Sequence, residues 1–82
     1  MSVYVVLEEK GVREYLEKRQ ILEQYQERKE RFKAGKTQQI QLKKRKPKAL
    51  HILQFRITKK YRAFGYFLDK KTFIVTEISD HQ

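Results

Sequence analysis

Hydrophobic positions follow two periods along this chain, one typical of helices and one typical of strands. Residues 2–7 are rich in β-branched and aromatic side chains and predict a buried strand. In residues 12–34 apolar side chains recur at helical spacing between charged and amide side chains, which predicts helix. Gly35 is expected just beyond the helix end, where glycine accepts a left-handed backbone. The stretch is one long helix or two helices joined near residues 19 and 20. The lack of Gly or Pro there favours one helix, and the shortness of the chain favours a hairpin.

The second half of the chain changes to the strand period. Residues 39–42 alternate between polar and apolar side chains and predict a strand that runs into the basic residues 43–46. Pro47 is expected to end its pairing, because proline has no amide hydrogen to donate. Three further strands are predicted, over residues 51–57, 61–68 and 72–79. The short polar turns between them indicate an antiparallel β-meander. The order predicts a single α+β domain over residues 1–82, with helices on one face of a twisted sheet.

Composition narrows the function classes. A chain of 82 residues has room for one modest core, and 39% hydrophobic residues is too many for a disordered tail. The absence of cysteine excludes a disulfide scaffold, a thiolate metal site and a thiol nucleophile. The apolar run at residues 3–7 is too short for a signal-peptide core or a membrane span. A cytoplasmic protein with no membrane association is expected.

The net charge of +10 is concentrated in the middle of the chain. Residues 31–68 contain twelve Lys and Arg and no Asp or Glu, whereas the flanking segments each carry a net charge of −1. A block of one sign repels itself and therefore indicates an anionic partner, which is a nucleic acid, an acidic protein or a membrane surface. Interleaved aromatic residues favour nucleic acid.

Cleavage of RNA without a metal requires three functions near one phosphate. One group takes the proton of the 2′-OH, one stabilises the extra negative charge, and one protonates the leaving 5′-oxygen. Arginine suits the second role, because its planar fork binds two phosphate oxygens. Alternation on the third predicted strand places Arg62, Phe64 and Tyr66 on one face and Tyr61, Ala63 and Phe67 on the other. An alternative is that Arg62 only covers the edge of the core with its apolar stem.

Other chemistry finds little support in the sequence. His51 and His81 lie far apart, with no clustered carboxylates, so no metal site and no cofactor are expected. No phosphate-binding glycine loop and no nucleophile elbow occur. The basic residues 43–48 are a solvated loop, a phosphate-tracking patch or a docking patch for a partner.

Residues 54–67, with the sequence QFRITKKYRAFGYF, resemble the core of the RelE/ParE toxin superfamily, especially its HigB-like branch. In that family a strand ending in an arginine and an aliphatic residue turns into a strand that begins Tyr-Arg. A short hairpin then leads to a last hydrophobic strand, matched here by residues 73–78. The order of elements is also similar, so the resemblance covers nearly the whole chain.

The resemblance implies a compact RelE-like type II toxin that cleaves messenger RNA in the ribosome and is silenced by an acidic antitoxin. By position, Arg62 matches the arginine that contacts the scissile phosphate, and Arg56 matches the arginine that ends the preceding strand. His81 resembles a C-terminal histidine that assists proton transfer. ParE members with the same fold poison DNA gyrase without nuclease chemistry, so a non-enzymatic binding protein is the alternative. The expected RNA-binding residues are Lys43, Lys44, Arg45, Lys46, Lys48, Lys59, Lys60 and Tyr61.

Overall fold

The described part of the chain, residues 2–44 and 51–80 of a computed structural model, has the predicted α+β order. An N-terminal strand is followed by two helices, a 3₁₀ turn and a β-meander. None of the helices in these ranges is long and apolar enough to cross a membrane. The elements in chain order are β1 (Val5–Glu8), α1 (Val12–Lys18), α2 (Leu22–Lys33), the 3₁₀ turn (Thr37–Ile40), β2 (Lys43–Lys44), β3 (Leu53–Arg56), β4 (Tyr61–Phe67) and β5 (Thr72–Asp80).

The helical stretch folds as two helices, because the chain turns left-handed at Gln20, where φ is 59°. The amide of Ile21 donates to the carbonyl of Leu16 at 3.0 Å, and the amide of Gln20 donates to the carbonyl of Glu17 at 3.1 Å. These two bonds form a Schellman motif, and the buried side chains of Ile21 and Leu16 supply its usual apolar pair. α2 ends in the same motif at Gly35, whose φ is 83°, as predicted.

The sheet is mixed, with the strand order β1-β5-β4-β3-β2. The strands β2 to β5 pair antiparallel with their sequence neighbours, which confirms the predicted meander. β1 lies parallel to β5, with Val6 opposite Phe73, and forms the far edge of the sheet. β1 begins at Val5, three residues later than the predicted strand.

The strand predicted over residues 39–42 is wrong, since this segment is mainly the 3₁₀ turn. Turn bonds join Gln41 to Gln38 and Leu42 to Thr37, and Ile40 is buried. Four residues with two apolar positions fit a single turn as well as a strand, and the burial of Ile40 decides between them. β2 follows only at Lys43–Lys44.

The core lies between the helices and one face of the sheet, and Phe32 of α2 is at its centre. The Phe32 side chain is fully buried, and its ring lies 4.9 Å from the ring of Phe73, 5.5 Å from that of Tyr4 and 5.6 Å from that of Phe55. The residues between the buried positions of β1, β4 and β5 point to the opposite face. That face is open to solvent at Val5, Leu7 and Tyr66.

A β-bulge shapes the open face near the middle of β4. Phe64 lies opposite Glu77, but the next residue, Gly65, lies opposite Val75, so Thr76 is an extra residue in β5. The hydroxyl of Thr76 donates to the carbonyl of Phe64 at 3.4 Å. The bulge allows Val75 and Ile78, three positions apart, to lie in the same core.

Tyr25 links α2 to β1 through a partly buried hydrogen bond. Its hydroxyl donates to the Glu8 carboxylate at 2.6 Å, and the same carboxylate oxygen lies 2.9 Å from the Lys29 ammonium. Burial first, and the hydrogen bond to Glu8 second, raise the pKa of the Tyr25 hydroxyl well above its ordinary value. The folded protein therefore favours the neutral phenol.

This raised pKa predicts a loss of stability in alkali. The contribution of Tyr25 is fully present below pH 10, where an unfolded tyrosine is neutral, and is lost as the pH rises further. We expect the free energy of unfolding to fall by up to about 1.4 kcal/mol per pH unit above pH 10 from this group. Denaturant unfolding at pH 8 to 11 measures it, with Tyr25→Phe losing that slope and Tyr66→Phe, an exposed control, keeping it. Equal slopes in wild type and Tyr25→Phe would contradict the assignment.

Candidate nucleic-acid interface

The turn between β3 and β4, residues 57–60, is held rigid by its own hydrogen bonds. The Thr58 hydroxyl accepts the amides of Lys60 at 3.2 Å and Tyr61 at 3.1 Å. The amides of Ile57 and Thr58 both donate to the carbonyl of Tyr61, at 3.0 and 3.2 Å. Lys59 and Lys60 are exposed on this turn. The turn fixes the spacing of the two arginines that flank it.

Arg56 and Arg62 lie directly opposite each other on β3 and β4, with Ser79 of β5 next in the row. The adjacent row consists of Phe55, Ala63 and Ile78, which belong to the core. Because side chains alternate along a strand, the two arginines lie on the open face. Two like charges facing each other across a strand pair are destabilising.

No carboxylate of the described residues forms an ion pair with either arginine, although Glu77, opposite Phe64, shares their face of the sheet. The ion pairs of residues 2–44 and 51–80 all join side chains between Glu8 and Lys33. Arg56 donates its Nε to the carbonyl of Thr58 at 3.2 Å. Arg62 is half-buried, and its Nε is a buried atom with no hydrogen-bond partner among the described residues. A buried donor of a charged group left without an acceptor is costly, and a ligand relieves that cost only where the Arg62 side chain moves to expose its Nε.

The aromatic residues of β4 divide as the alternation predicts. Phe64 and Tyr66 share this face with Arg62; Phe64 is buried at 4% exposure, and Tyr66 is 38% exposed, about 13 Å along the strand from Arg62. An exposed ring at this position can stack with a nucleic-acid base. Tyr61 lies on the other side of the strand, where it packs against the core and pairs with Asp80.

Two further cationic side chains, Lys60 and Arg19, lie against tyrosine rings at this end of the sheet. The Lys60 ammonium lies 5.5 Å from the centre of the Tyr61 ring, and the Arg19 guanidinium lies 4.9 Å from the centre of the Tyr15 ring. The interaction with Tyr15, chiefly by hydrogen bonding, raises the pKa of Arg19, and Tyr61 and Asp80 add smaller contributions. Tyr61 is thus placed beside cations but away from the Arg56–Arg62 face.

Two of the remaining predicted RNA-binding residues lie at the far edge of the sheet. Lys43 and Lys44 are exposed on β2, with Lys43 opposite Gln54 and so on the open face. The predictions for Arg45, Lys46, Lys48 and His81 lie outside the described residues.

A cationic pocket of about 290 Å³ opens at the same end of the molecule. It lies between α2, the 3₁₀ turn and the residues after β3. Arg56 and Lys59, both predicted site residues, contribute to it. Its lining residues are Arg28, Gln39, Gln41, Arg56, Thr58 and Lys59.

No protein-family model, curated protein or solved structure matches this chain. The resemblance to RelE/ParE toxins therefore depends on the sequence pattern of residues 54–67 and the element order, and membership of that family is a proposal. No group of three or more His, Asp or Glu side chains that could hold a metal ion occurs within residues 2–44 and 51–80.

Arg28 lines the cationic pocket and was not among the residues predicted for the site. Arg28 lies three residues after Tyr25 and four before Phe32, both buried, so it is on the inward face of α2. A long cationic side chain on the core-facing side of a helix must reach a polar group. The helical spacing of Arg28 from Tyr25 and Phe32 was visible in the sequence. The carbonyl that it reaches, that of Ile57 at 3.3 Å, was not readable there.

Proposed function

We propose that this protein is a metal-independent endoribonuclease that cuts messenger RNA on the ribosome, a cytoplasmic toxin of the RelE/ParE type. The observation that carries the proposal is the Arg56–Arg62 pair. The two arginines occupy directly opposite positions on β3 and β4, neither forms an ion pair with a carboxylate of the described residues, and the Nε of Arg62 is a buried donor that no described residue accepts from. A phosphodiester supplies the missing charge and the missing acceptor.

The arrangement suits cleavage by the neighbouring 2′-OH. In that reaction the 2′-oxygen forms a bond to phosphorus and loses its proton, while the bond from phosphorus to the 5′-oxygen breaks and that oxygen gains a proton. The products carry a 2′,3′-cyclic phosphate and a 5′-hydroxyl. Negative charge builds up on the non-bridging oxygens in the transition state, where Arg56 and Arg62 would stabilise it. Lys59, Lys60 and His81 are the candidates for moving the protons.

The surface around the pair supports an anionic substrate. Lys59 and Lys60 are exposed beside it, and Lys43 and Lys44 are exposed at the edge of the same sheet. In the described residues none of these lysines forms an ion pair. Unpaired cations attract a phosphate backbone by releasing its counterions, so RNA binding should weaken steeply as salt increases.

We extend the proposal to an acidic antitoxin. The open face also carries exposed apolar side chains, including Val5 at 49% and Leu7 at 43% exposure on the edge strand β1, which β5 separates from the strand of Arg62. A segment with both apolar and acidic residues would cover the apolar part and neutralise the +10 charge.

The experiment is a cell-free translation reaction with one defined messenger, in which the 5′ ends of the RNA are mapped. We expect new 5′-hydroxyl ends when ribosomes are present and none on the same RNA without ribosomes. Stalled translation with intact RNA would instead favour the second candidate, a non-enzymatic inhibitor that docks through the exposed edge strand Lys43–Lys44 and the basic residues after it. No effect on translation would contradict the proposal and favour DNA gyrase as the target.

A further inference from the structure

The pocket beside the β3–β4 turn is lined by polar and cationic side chains and has the size of a site for a small ligand. It encloses about 290 Å³, at the small end of the range of ligand pockets, which begins at about 300 Å³. Arg56 lines it and Arg62 does not, so the pocket and the arginine pair share one arginine but are otherwise made of different residues. Its occupant must be a small group rather than an extended polymer.

The two arginines of this pocket are oriented in advance. Arg28 donates its Nε to the carbonyl of Ile57 at 3.3 Å, and Arg56 donates its Nε to the carbonyl of Thr58 at 3.2 Å. These carbonyls are consecutive in the chain and belong to the turn that the Thr58 hydroxyl holds rigid. Both guanidinium groups are therefore anchored through Nε, and that of Arg28 is held further by a bond from Nη1 to the Glu27 carboxylate at 3.1 Å. Such preorganisation lowers the entropic cost of binding.

The charge of the pocket is positive and its neutral groups are amides. Lys59 adds a third cation, and Gln39 and Gln41 add side-chain amides that both donate and accept hydrogen bonds. The one carboxylate that contacts these cations within the described residues is Glu27, which lies 3.1 Å from a terminal nitrogen of Arg28 and also pairs with Arg31. Three cations and one shared carboxylate leave an excess charge that suits a dianion.

We propose that this pocket binds the phosphate monoester of a nucleotide. Arg28, Arg56 and Lys59 hold the phosphate dianion, and the amides of Gln39 and Gln41 contact the sugar or base. The same chemistry is offered by a free nucleoside monophosphate and by the 5′-phosphorylated end of an RNA strand. The proposal goes beyond RNA cleavage, because it concerns a pocket beside the arginine pair, which shares Arg56 and Lys59 with the proposed cleavage site, and a ligand that need not be the cut strand.

The test is a titration of the full chain with sodium phosphate, AMP and adenosine at constant ionic strength. Binding is monitored through the amide chemical shifts. We expect phosphate and AMP, but not adenosine, to shift the amides of residues 57–60 and 39–41. A short RNA with a 5′-phosphate is then compared with its 5′-hydroxyl form. Tighter binding of the phosphorylated RNA than of its 5′-hydroxyl form assigns the site to RNA ends, and equal binding of the two RNA forms, with AMP still shifting these amides, assigns it to free nucleotides. Shifts with adenosine equal to those with AMP, or none with any probe, would overturn the proposal.

Variants separate a built site from general charge attraction. Arg28→Gln is expected to weaken AMP binding at least about tenfold, the contribution of one charge-assisted hydrogen bond. Lys59→Gln, a change at an exposed turn position, should weaken it similarly and guards against misfolding of Arg28→Gln. Arg13→Gln removes the same charge from an exposed part of α1 and should have little effect. Equal weakening by all three variants would mean non-specific attraction and would overturn the proposal.

Discussion

Replacing Arg62 with alanine is expected to abolish ribosome-dependent cleavage, with a loss of about 10²- to 10³-fold in rate. The reason is that a positioned donor to the transition-state oxyanion acts where charge develops, and Arg62 has a buried Nε that no described residue accepts from. The measurement is the number of new 5′ ends per unit time in the translation reaction, with wild type and variant at equal concentration.

Stability distinguishes this role from a merely structural one. Arg62→Ala removes one of two like charges that face each other, so the free energy of unfolding should stay the same or rise. Arg62→Lys keeps the charge but loses the planar fork, and an intermediate rate is expected. Arg13→Ala on α1 is the matched control and should cut at the wild-type rate. A fully active Arg62→Ala protein would contradict the assignment.

Gly65→Ala is expected to have the largest effect on stability, a loss of at least about 3 kcal/mol. A Cβ at this position would collide with the carbonyl oxygen of Ile74 on β5, and it would lie 2.8 Å from the Phe73 ring. Neither neighbour can yield easily, because Ile74 pairs with Tyr66 in the β4–β5 ladder and Phe73 is fully buried. A domain of this size has a total free energy of unfolding of about 4 to 12 kcal/mol, so the variant should be largely unfolded or close to it.

Gly11→Ala is the informative control for that experiment. At Gly11 a Cβ would meet no atom within 4 Å, but φ is +92°. The expected cost is only the backbone strain, about 1 to 2 kcal/mol. Denaturant unfolding of both variants measures the difference. Equal losses of unfolding free energy in the two variants would mean that the close approach of β5 is not the reason why position 65 requires glycine.

The number of helices could not be read from the sequence because the deciding residue is Gln20. Glycine is the usual residue at a left-handed helix end, and its absence favoured one long helix. The Schellman bonds and the buried Leu16–Ile21 pair hold Gln20 in that conformation. Gly35, by contrast, correctly predicted the end of α2, because glycine is the usual residue at a left-handed helix end.

The meander and the faces of β4 could be predicted because they depend on a two-residue period in a half-buried sheet. The grouping of Arg62 with Tyr66 on one face and of Ala63 with Tyr61 on the other followed from alternation alone, but alternation did not say that the Ala63 face is the core face. The parallel pairing of β1 with β5 did not, since it joins residues far apart in the sequence. The cationic pocket was missed for the same reason: Arg28 reaches the carbonyl of Ile57, 29 residues away.

The most direct test of the central claim follows the Nε–H group of Arg62 itself by nuclear magnetic resonance. The protein is titrated with a short single-stranded RNA whose 2′-hydroxyls are methylated, so that it binds without being cut, and the Arg62 signal is assigned by its loss in Arg62→Lys. We predict that this signal shifts on addition of RNA, because a phosphate oxygen becomes its acceptor, while that of Arg13, already paired with Glu17 at 3.0 Å, stays in place. An unchanged Arg62 signal, with shifts confined to the amides of Lys43 and Lys44, would contradict it and favour docking at the edge strand.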